Sequence, residues 1–423
     1  MKSPLENLVI NEAGTDDRES LDKYKVEKLR ESIKYAKEKS SFYRERLKDI
    51  SADKISTLKD FALVPFTYPK ELVERAYDFL CVPQKYVSRV VTLKTSGTTA
   101  ADGKRVFFTD RDLNLTVNFF YEGFKAMLNE NDRAMIMMHG ETYGSVGDII
   151  KKSLGRMNVK SFIYGVLKDC DDAGRFIKNN NINSIVGLPA QAMHLSMLRE
   201  DVFKSSIEKL MLSADYAPEN LINRFKEKYN IKVFTHYGLT ETGYGCAVEC
   251  EYLDGYHIRE NDIYLEIVDP VTGIALQDDS IGEIVITVFN REAMPLIRYR
   301  TGDYGLYISK RCKCGTFLKT LERSKGRIAN KILINNKYMH MSELDEFFFR
   351  YESILDYSIA PTDDSIDIKI FLLHECPDLH EEIKKEMKDK FNVSINITTE
   401  KKENISFSSN TMIKRTVGQW GRT

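Results

Sequence analysis

Through the middle of the chain, short apolar runs alternate with stretches of helical spacing. Residues 134–138, 161–164, 184–189, 209–213 and 232–236 predict strands, and 110–128, 148–154, 171–179, 191–199 and 218–229 predict helices. Strand-then-helix alternation predicts a parallel sheet covered by helices, with ligands at the carboxyl ends of its strands. From Ile263 the pattern changes. Residues 263–268, 282–288 and 304–308 predict strands joined by turns carrying Asp269-Pro270 and Asp278-Asp279, which implies a small antiparallel, barrel-like sheet. Past Arg323 the order is strand (330–338), helix (342–351), strand (355–360), strand (366–373), helix (379–391), strand (393–398), which suits a ferredoxin-like βαββαβ unit. Upstream, residues 21–48 predict one or two amphipathic helices, and 1–20 a loosely held arm. The predicted fold is α/β: a large N-terminal domain (1–322) of mixed and parallel sheets with helices plus the small barrel-like sheet, and a small α+β C-terminal domain (323–423).

Composition narrows the function classes. The chain has 423 residues, 42% hydrophobic and 30% charged, enough for a sizeable core on a water-compatible surface. A formal net charge of -1 gives no general attraction to nucleic acid or to an anionic membrane. No basic start followed by an apolar run opens the chain, and no run approaches the length of a membrane span. Seven cysteines in a chain this long do not suggest a disulfide scaffold. A cytoplasmic protein is expected, with no nucleic-acid or membrane partner; a homodimer is a candidate.

The densest candidate chemistry is residues 90–109. Two β-rich runs flank Thr95-Ser96-Gly97-Thr98-Thr99-Ala100-Ala101-Asp102-Gly103-Lys104. Small residues let backbone approach an anion, amides and hydroxyls can donate to it, and Lys104 adds a point charge. The stretch reads as a phosphate cradle, with an ordinary hairpin turn as the alternative. It is not a Walker A loop, since five residues separate Gly97 from Gly103 and Arg105 follows the lysine.

Four further stretches follow in order: Val186-Gly187-Leu188-Pro189, His236-Tyr237-Gly238-Leu239-Thr240-Glu241-Thr242-Gly243, Ile297-Arg298-Tyr299-Arg300-Thr301-Gly302-Asp303, and Gly326-Arg327. Together with the loop, they resemble the adenylate-forming superfamily, and within it the phenylacetate–CoA ligase-like branch. Ser41-Phe42-Tyr43-Arg44, Val64-Pro65-Phe66-Thr67, Gly255-Tyr256-His257-Ile258 and Ala293-Met294-Pro295 also look like that branch. The resemblance implies ATP-dependent activation of a small carboxylic acid to an acyl-adenylate, then transfer to CoA. Alternatives are transfer to an amine or protein thiol, and a nucleotide-binding protein with weak turnover. It implies that Ser96, Gly97, Thr98, Thr99 and Lys104 hold the β- and γ-phosphates, that Thr240 reaches the α-phosphate, and that Glu241 binds Mg²⁺. Tyr237 and Gly238, with Ser213 and Ala214, would line the adenine. Asp303 would accept the ribose hydroxyls, and Arg327 would add a ribose or phosphate contact. Tyr143, Gly144, Gly243 and Tyr244 are candidates for the acid pocket.

Two departures from the family pattern stand out. Where relatives often carry Ser-Gly-Lys-x-x-Arg near the C-terminus, this chain reads Asn410-Thr411-Met412-Ile413-Lys414-Arg415, so Met412 takes the lysine's place and Lys414 is the candidate substitute. Relatives often have an acidic residue two places after the Gly-Arg arginine; here it is Ala329. A second candidate site is Cys250, His257, Cys312 and Cys314, with Cys246 left free. Four soft N/S ligands suit a closed structural Zn²⁺ site, with reduced buried thiols as the alternative.

Overall fold

The computed structural model describes residues 3–93, 103–323, 326–334, 337–361, 365–391 and 394–401. Ser96, Gly97, Thr98, Thr99 and Lys414 lie outside the described residues. The chain forms two compact units. One gathers Met1–Asn131, His139–Ser161 and Thr235–Ser324; the other gathers Asp132–Met138, Phe162–Phe234 and Lys325–Thr423.

In the first unit, Asp17 caps the helix Arg18–Lys39, its carboxylate accepting from the Ser20 amide at 2.9 Å. Leu21, Leu29, Ile33 and Ala36 bury one stripe of that helix. The N-terminal segment is not a loose arm. Glu6–Ala13 is helical with Leu5, Leu8 and Val9 buried, and Arg18 forks onto Glu260 at 2.7 and 2.6 Å. Leu5, Leu8 and Val9 form a stripe of one turn, too short for periodicity to reveal. The helix Asp110–Phe124 begins at a reciprocal cap in which Thr109 Oγ1 accepts from the Asp112 amide (3.2 Å) and Asp112 accepts from the Thr109 amide (3.0 Å). It buries Leu113, Val117, Phe120 and Phe124. Arg89–Leu93 and Lys104–Phe108 pair antiparallel, with Leu93 opposite Lys104.

The small sheet is antiparallel in the order Ile263–Val268, Gly282–Val288, Leu296–Gly305. Its third strand lies earlier than the pattern at 304–308 predicted. Leu296–Gly305 alternates buried and half-exposed only in its second half, because its first four residues are buried on both faces, and this masks the period of two. Tyr307–Ile308 is a separate short strand paired with Thr320–Leu321.

In the second unit, Arg133–Met137, Ser184–Gly187 and Lys209–Leu212 are parallel neighbours, with Ser184–Gly187 in the middle. Ser184–Gly187 is buried throughout, as a strand covered on both faces requires. The C-terminal segment departs from the ferredoxin-like order. The single strand expected at 330–338 is a hairpin, Lys331–Ile334 with Lys337–His340. Ile354–Pro361, Ser365–Leu372 and Ser394–Lys401 form a sheet in that order, the last two parallel. The last strand thus takes the place beside Ser365–Leu372 that the expected order gives to the first. Local spacing fixes elements but not which strands pair. Ile366, Ile368, Ile370 and Leu372 alternate inward, and join Leu195, Phe203 and Phe225 in one core. The helix Met341–Phe348 is tied down by Glu346, which accepts from the Tyr216 hydroxyl at 2.7 Å. The described residues between 326 and 401 therefore belong with 162–234 in one compact unit.

Candidate active site

The strand Lys232–Tyr237 runs into the tight turn Thr240–Thr242. The Thr242 hydroxyl accepts from the Leu239 amide (3.1 Å) and donates to the Leu239 carbonyl (2.9 Å), while Gly243 closes the turn at φ 74°. Gly238 has no room for a side chain, since a Cβ there would sit 2.1 Å from the Tyr244 carbonyl oxygen. The turn buries Glu241 to 2% exposure. Its backbone is held from behind by two buried guanidiniums: Arg291 donates to the Glu241 carbonyl (2.7 Å) and Arg259 to the Thr242 carbonyl (3.0 Å).

Two donors converge on Glu241 Oε1. One is the Tyr299 hydroxyl at 2.8 Å; the other is the Lys104 ammonium, in direct contact. Lys104 also donates to the Tyr299 oxygen at 3.1 Å. Burial pushes the Glu241 carboxyl up, but the Lys104 charge and the hydrogen bonds from Lys104, Tyr299 and its own amide outweigh it and hold the group at about 2. Four residues before Glu241, the Tyr237 hydroxyl donates to Asp303 Oδ2 at 2.9 Å. Burial, then the Asp303 charge, drives the Tyr237 phenol well above its ordinary range, so it stays a donor. Position 237 thus meets 303, and 241 meets 299. The two most specific motifs run past each other in opposite directions, joined by side chains at both ends. The arrangement brings Lys104, Tyr237, Glu241 and Asp303 together within one unit. Lys104 stands on the second strand of the hairpin that brackets the predicted cradle.

The acid-pocket candidates divide. The Tyr244 hydroxyl donates to the Gly144 carbonyl at 3.1 Å, and the Tyr244 ring stacks on Phe108 at 5.6 Å. Gly243 is the residue before Tyr244. Tyr143 instead is 53% exposed and donates to Asp110 at 2.7 Å. Thr240 lies half-buried beside Glu241. Ser213 and Ala214 belong to the other unit, just past the carboxyl end of Lys209–Leu212. The Ser213 amide donates to the Gly187 carbonyl (3.0 Å), and Ala214 is left-handed at φ 67°. Arg327 is exposed in that same unit.

Sequence reasoning missed Tyr299, Arg291 and Arg259. Tyr299 was legible in principle. It lies in the same Ile297–Asp303 motif as Asp303, although a register break between Arg300 and Tyr304 keeps simple alternation from assigning it a face. The two arginines carried no local signal, since each acts on a backbone carbonyl distant in sequence.

Cys250, His257, Cys312 and Cys314 form a compact group whose ligand atoms all lie within 4.8 Å of one another. Cys250 and Cys312 sulfurs are 3.7 Å apart, and Cys314 Sγ is 3.4 Å from His257 Nε2. Bond lengths of a tetrahedral zinc site give edges of about 3.8 and 3.5 Å. His257 Nδ1 lies 3.3 Å from the Thr320 hydroxyl, which fixes the ring. Cys246 is buried outside the cluster. Among the described residues, no helix is long and apolar enough to cross a membrane.

No protein-family model matches the chain. It is 25% identical over 399 residues to a phenylacetate–CoA ligase of Pseudomonas putida, covering 90% of this chain and 88% of that protein. It is 27% identical over 351 residues to the phenylacetate–CoA ligase of Thermus thermophilus, covering 79% and 76%. Among solved structures, a 2-hydroxyisobutyryl-CoA ligase in complex with 2-HIB-AMP superimposes with a TM-score of 0.83 at 19% identity, covering 95% of this chain and 90% of that one. In sequence over most of its length, and in fold, the chain resembles the acyl-CoA ligases of the adenylate-forming superfamily, and among them the phenylacetate–CoA ligase-like branch.

Proposed function

We propose that the chain is an AMP-forming acid–CoA ligase. A carboxylate oxygen of a small acid attacks the α-phosphorus of ATP, the bond to the bridging oxygen breaks, and pyrophosphate leaves. The CoA sulfur then attacks the acyl carbon of the adenylate; a thioester forms and AMP leaves. The observation that carries this reading is the double link between motifs, Glu241 to Tyr299 and Tyr237 to Asp303. A buried carboxylate with its lysine and a second carboxylate on two side-chain-linked segments support a reading in which the first meets phosphates and the second a ribose.

In this reading Lys104 neutralises phosphate charge, Asp303 accepts from the ribose hydroxyls, and Tyr237 orients Asp303. Thr240 donates to the α-phosphate. Gly144, Gly243 and Tyr244 face the acid, with Tyr143 at the rim. Bound Mg²⁺ would lower the charge on the phosphates, and one buried carboxylate plus phosphate oxygens is a set that suits it. Glu241 would be its protein ligand. The roles of Ser96, Gly97, Thr98, Thr99 and Lys414, and of Ser213, Ala214 and Arg327 toward adenine and ribose, rest on the resemblance. The test is ATP–pyrophosphate exchange with a panel of carboxylic acids, followed by CoA and mass detection of the thioester. An acid that drives exchange and yields a thioester is expected. Exchange without a thioester would move the acceptor to an amine or protein thiol. ATP binding with no exchange by any acid would leave only a nucleotide-binding protein.

We also propose that Cys250, His257, Cys312 and Cys314 hold a structural Zn²⁺. Edge lengths close to tetrahedral and the hydrogen-bonded His257 support it. Elemental analysis of purified protein is expected to give about one zinc per chain; a ratio near zero overturns it.

A further inference from the structure

Glu241 and Lys104 make a buried ion pair in which the lysine sits on the carboxylate that a metal would need. A buried carboxylate cannot be left uncompensated, so something positive must sit there in the empty protein. The pair has features of a temporary arrangement. Lys104 and Tyr299 crowd onto the same oxygen, Oε1. Lys104 keeps a second partner in the Tyr299 hydroxyl (3.1 Å) and lies over that ring, 5.7 Å from its centroid. Its side chain is also less buried than that of Glu241, at 13% against 3% exposure. A lysine is a compact charge on a flexible stem, suited to trading one anion for another.

We propose that Lys104 is the exchangeable counterion of Glu241, so that a divalent cation enters only as its nucleotide complex. The phosphates draw the ammonium away at the moment the cation takes its place. Each group keeps a partner of opposite sign. Glu241 exchanges one positive partner for another, and Lys104 exchanges a carboxylate for phosphate oxygens. Tyr299, donating to Glu241 throughout, keeps the carboxylate aimed while its partners change. The proposal rests on the reading of Glu241 as the metal ligand.

The test is binding of Mn²⁺, followed by its free-ion spin-resonance signal, without nucleotide and with α,β-methylene-ATP against a protein-free control that accounts for chelation by the nucleotide itself. Wild type should bind Mn²⁺ weakly alone and tightly with the nucleotide. Lys104→Met should bind Mn²⁺ alone at least about tenfold more tightly than wild type, about 1.4 kcal/mol. Lys104→Arg, which keeps the charge, should show no such gain, and the double variant Lys104→Met/Glu241→Gln should lose it. Circular dichroism and melting of each variant establish that it folds. Two results overturn the inference: wild type binding Mn²⁺ alone as tightly as Lys104→Met, or a folded Lys104→Met that gains nothing. If Glu241→Gln binds Mn²⁺ with the nucleotide as wild type does, the metal-ligand reading itself falls. If Glu241→Gln weakens that binding while Lys104→Met gains nothing, only the exchange idea falls.

Discussion

Two buried glutamates of the same unit are neutralised by lysine, and they are built for opposite ends. Glu260 is 4% exposed and both its oxygens are taken twice. Oε1 accepts from Arg18 Nη1 (2.7 Å) and the Lys319 amide (2.8 Å); Oε2 accepts from Arg18 Nη2 (2.6 Å) and Lys25 (2.8 Å). Glu241 is as deeply buried, yet its two side-chain donors among the described residues share one oxygen, with its own backbone amide as a further donor. In both, burial pushes the carboxyl up and the cations more than reverse it. The difference lies in saturation. A carboxylate with every lone pair engaged by a forked guanidinium, an amide and an ammonium is a fastening. One held by a lysine and a phenol on one side is a binding group with its counterion in place. Sign and depth of a pKa shift do not separate the two; the hydrogen-bond inventory does.

The largest expected effect exploits that contrast directly. Glu241→Gln should lower pyrophosphate exchange by about two to three orders of magnitude, through loss of the charged ligand, while the melting temperature falls less than in Glu260→Gln, since only one cation, itself partly exposed, is stranded. Glu260→Gln should do the reverse. Removing one partner of a buried network strands Arg18 and Lys25, and should cost about 3 kcal/mol in denaturant unfolding. Exchange per folded molecule should be unchanged. An equal loss of activity in both variants would abolish the distinction. Acid sharpens it. The Glu260 carboxyl lies below its ordinary value of 4.5 in the folded chain, so its stabilising contribution is complete above that pH and fades as pH falls. The stability gap between wild type and Glu260→Gln should therefore be widest near neutrality and shrink progressively below about pH 4. A gap independent of pH would show that charge is not what Glu260 contributes.

How much of this was legible in the chain depends on the range of the interaction. Strands at 134–138 and 209–213 and helices at 110–128 and 379–391 follow from spacing that a single element carries; the last has the expected ends and the others differ by one to four residues. Cys250, His257, Cys312 and Cys314 were found because thiols and imidazole are scarce, so chemistry alone narrows the choice, and the four do meet. Lys104 came from the chemistry of the loop, and Glu241, Tyr237 and Asp303 from motif resemblance; contacts link Lys104 to Glu241 and Tyr237 to Asp303. What escaped depended on pairing at a distance. The C-terminal strand order needs to know which strand Ser394–Lys401 joins. The anchored N-terminus needs to know that Arg18 reaches Glu260, 242 residues away. Arg259 and Arg291 support a turn through its carbonyls, and no property of an arginine in sequence announces that.

The smallest effect probes the one residue that separates the two carboxylates in kind. Tyr299→Phe removes the hydroxyl that donates to Glu241 and accepts from Lys104, and leaves the ring in the core. A hydrogen bond to a charged group contributes about 1.5–3 kcal/mol, so a loss of about ten- to a hundredfold in exchange is expected at limiting Mg²⁺. Since Glu241 remains, saturating Mg²⁺ should restore most of the rate, and the concentration for half-maximal exchange should rise by a similar factor. A general loosening of the fold would lower the rate at every Mg²⁺ concentration alike, and would also lower the melting temperature. Rescue by metal with an unaltered melt is thus the signature of a residue that aims the carboxylate. Its absence would make Tyr299 part of the packing only, and Glu241 would then hold its direction through the Arg291 and Arg259 contacts to its backbone.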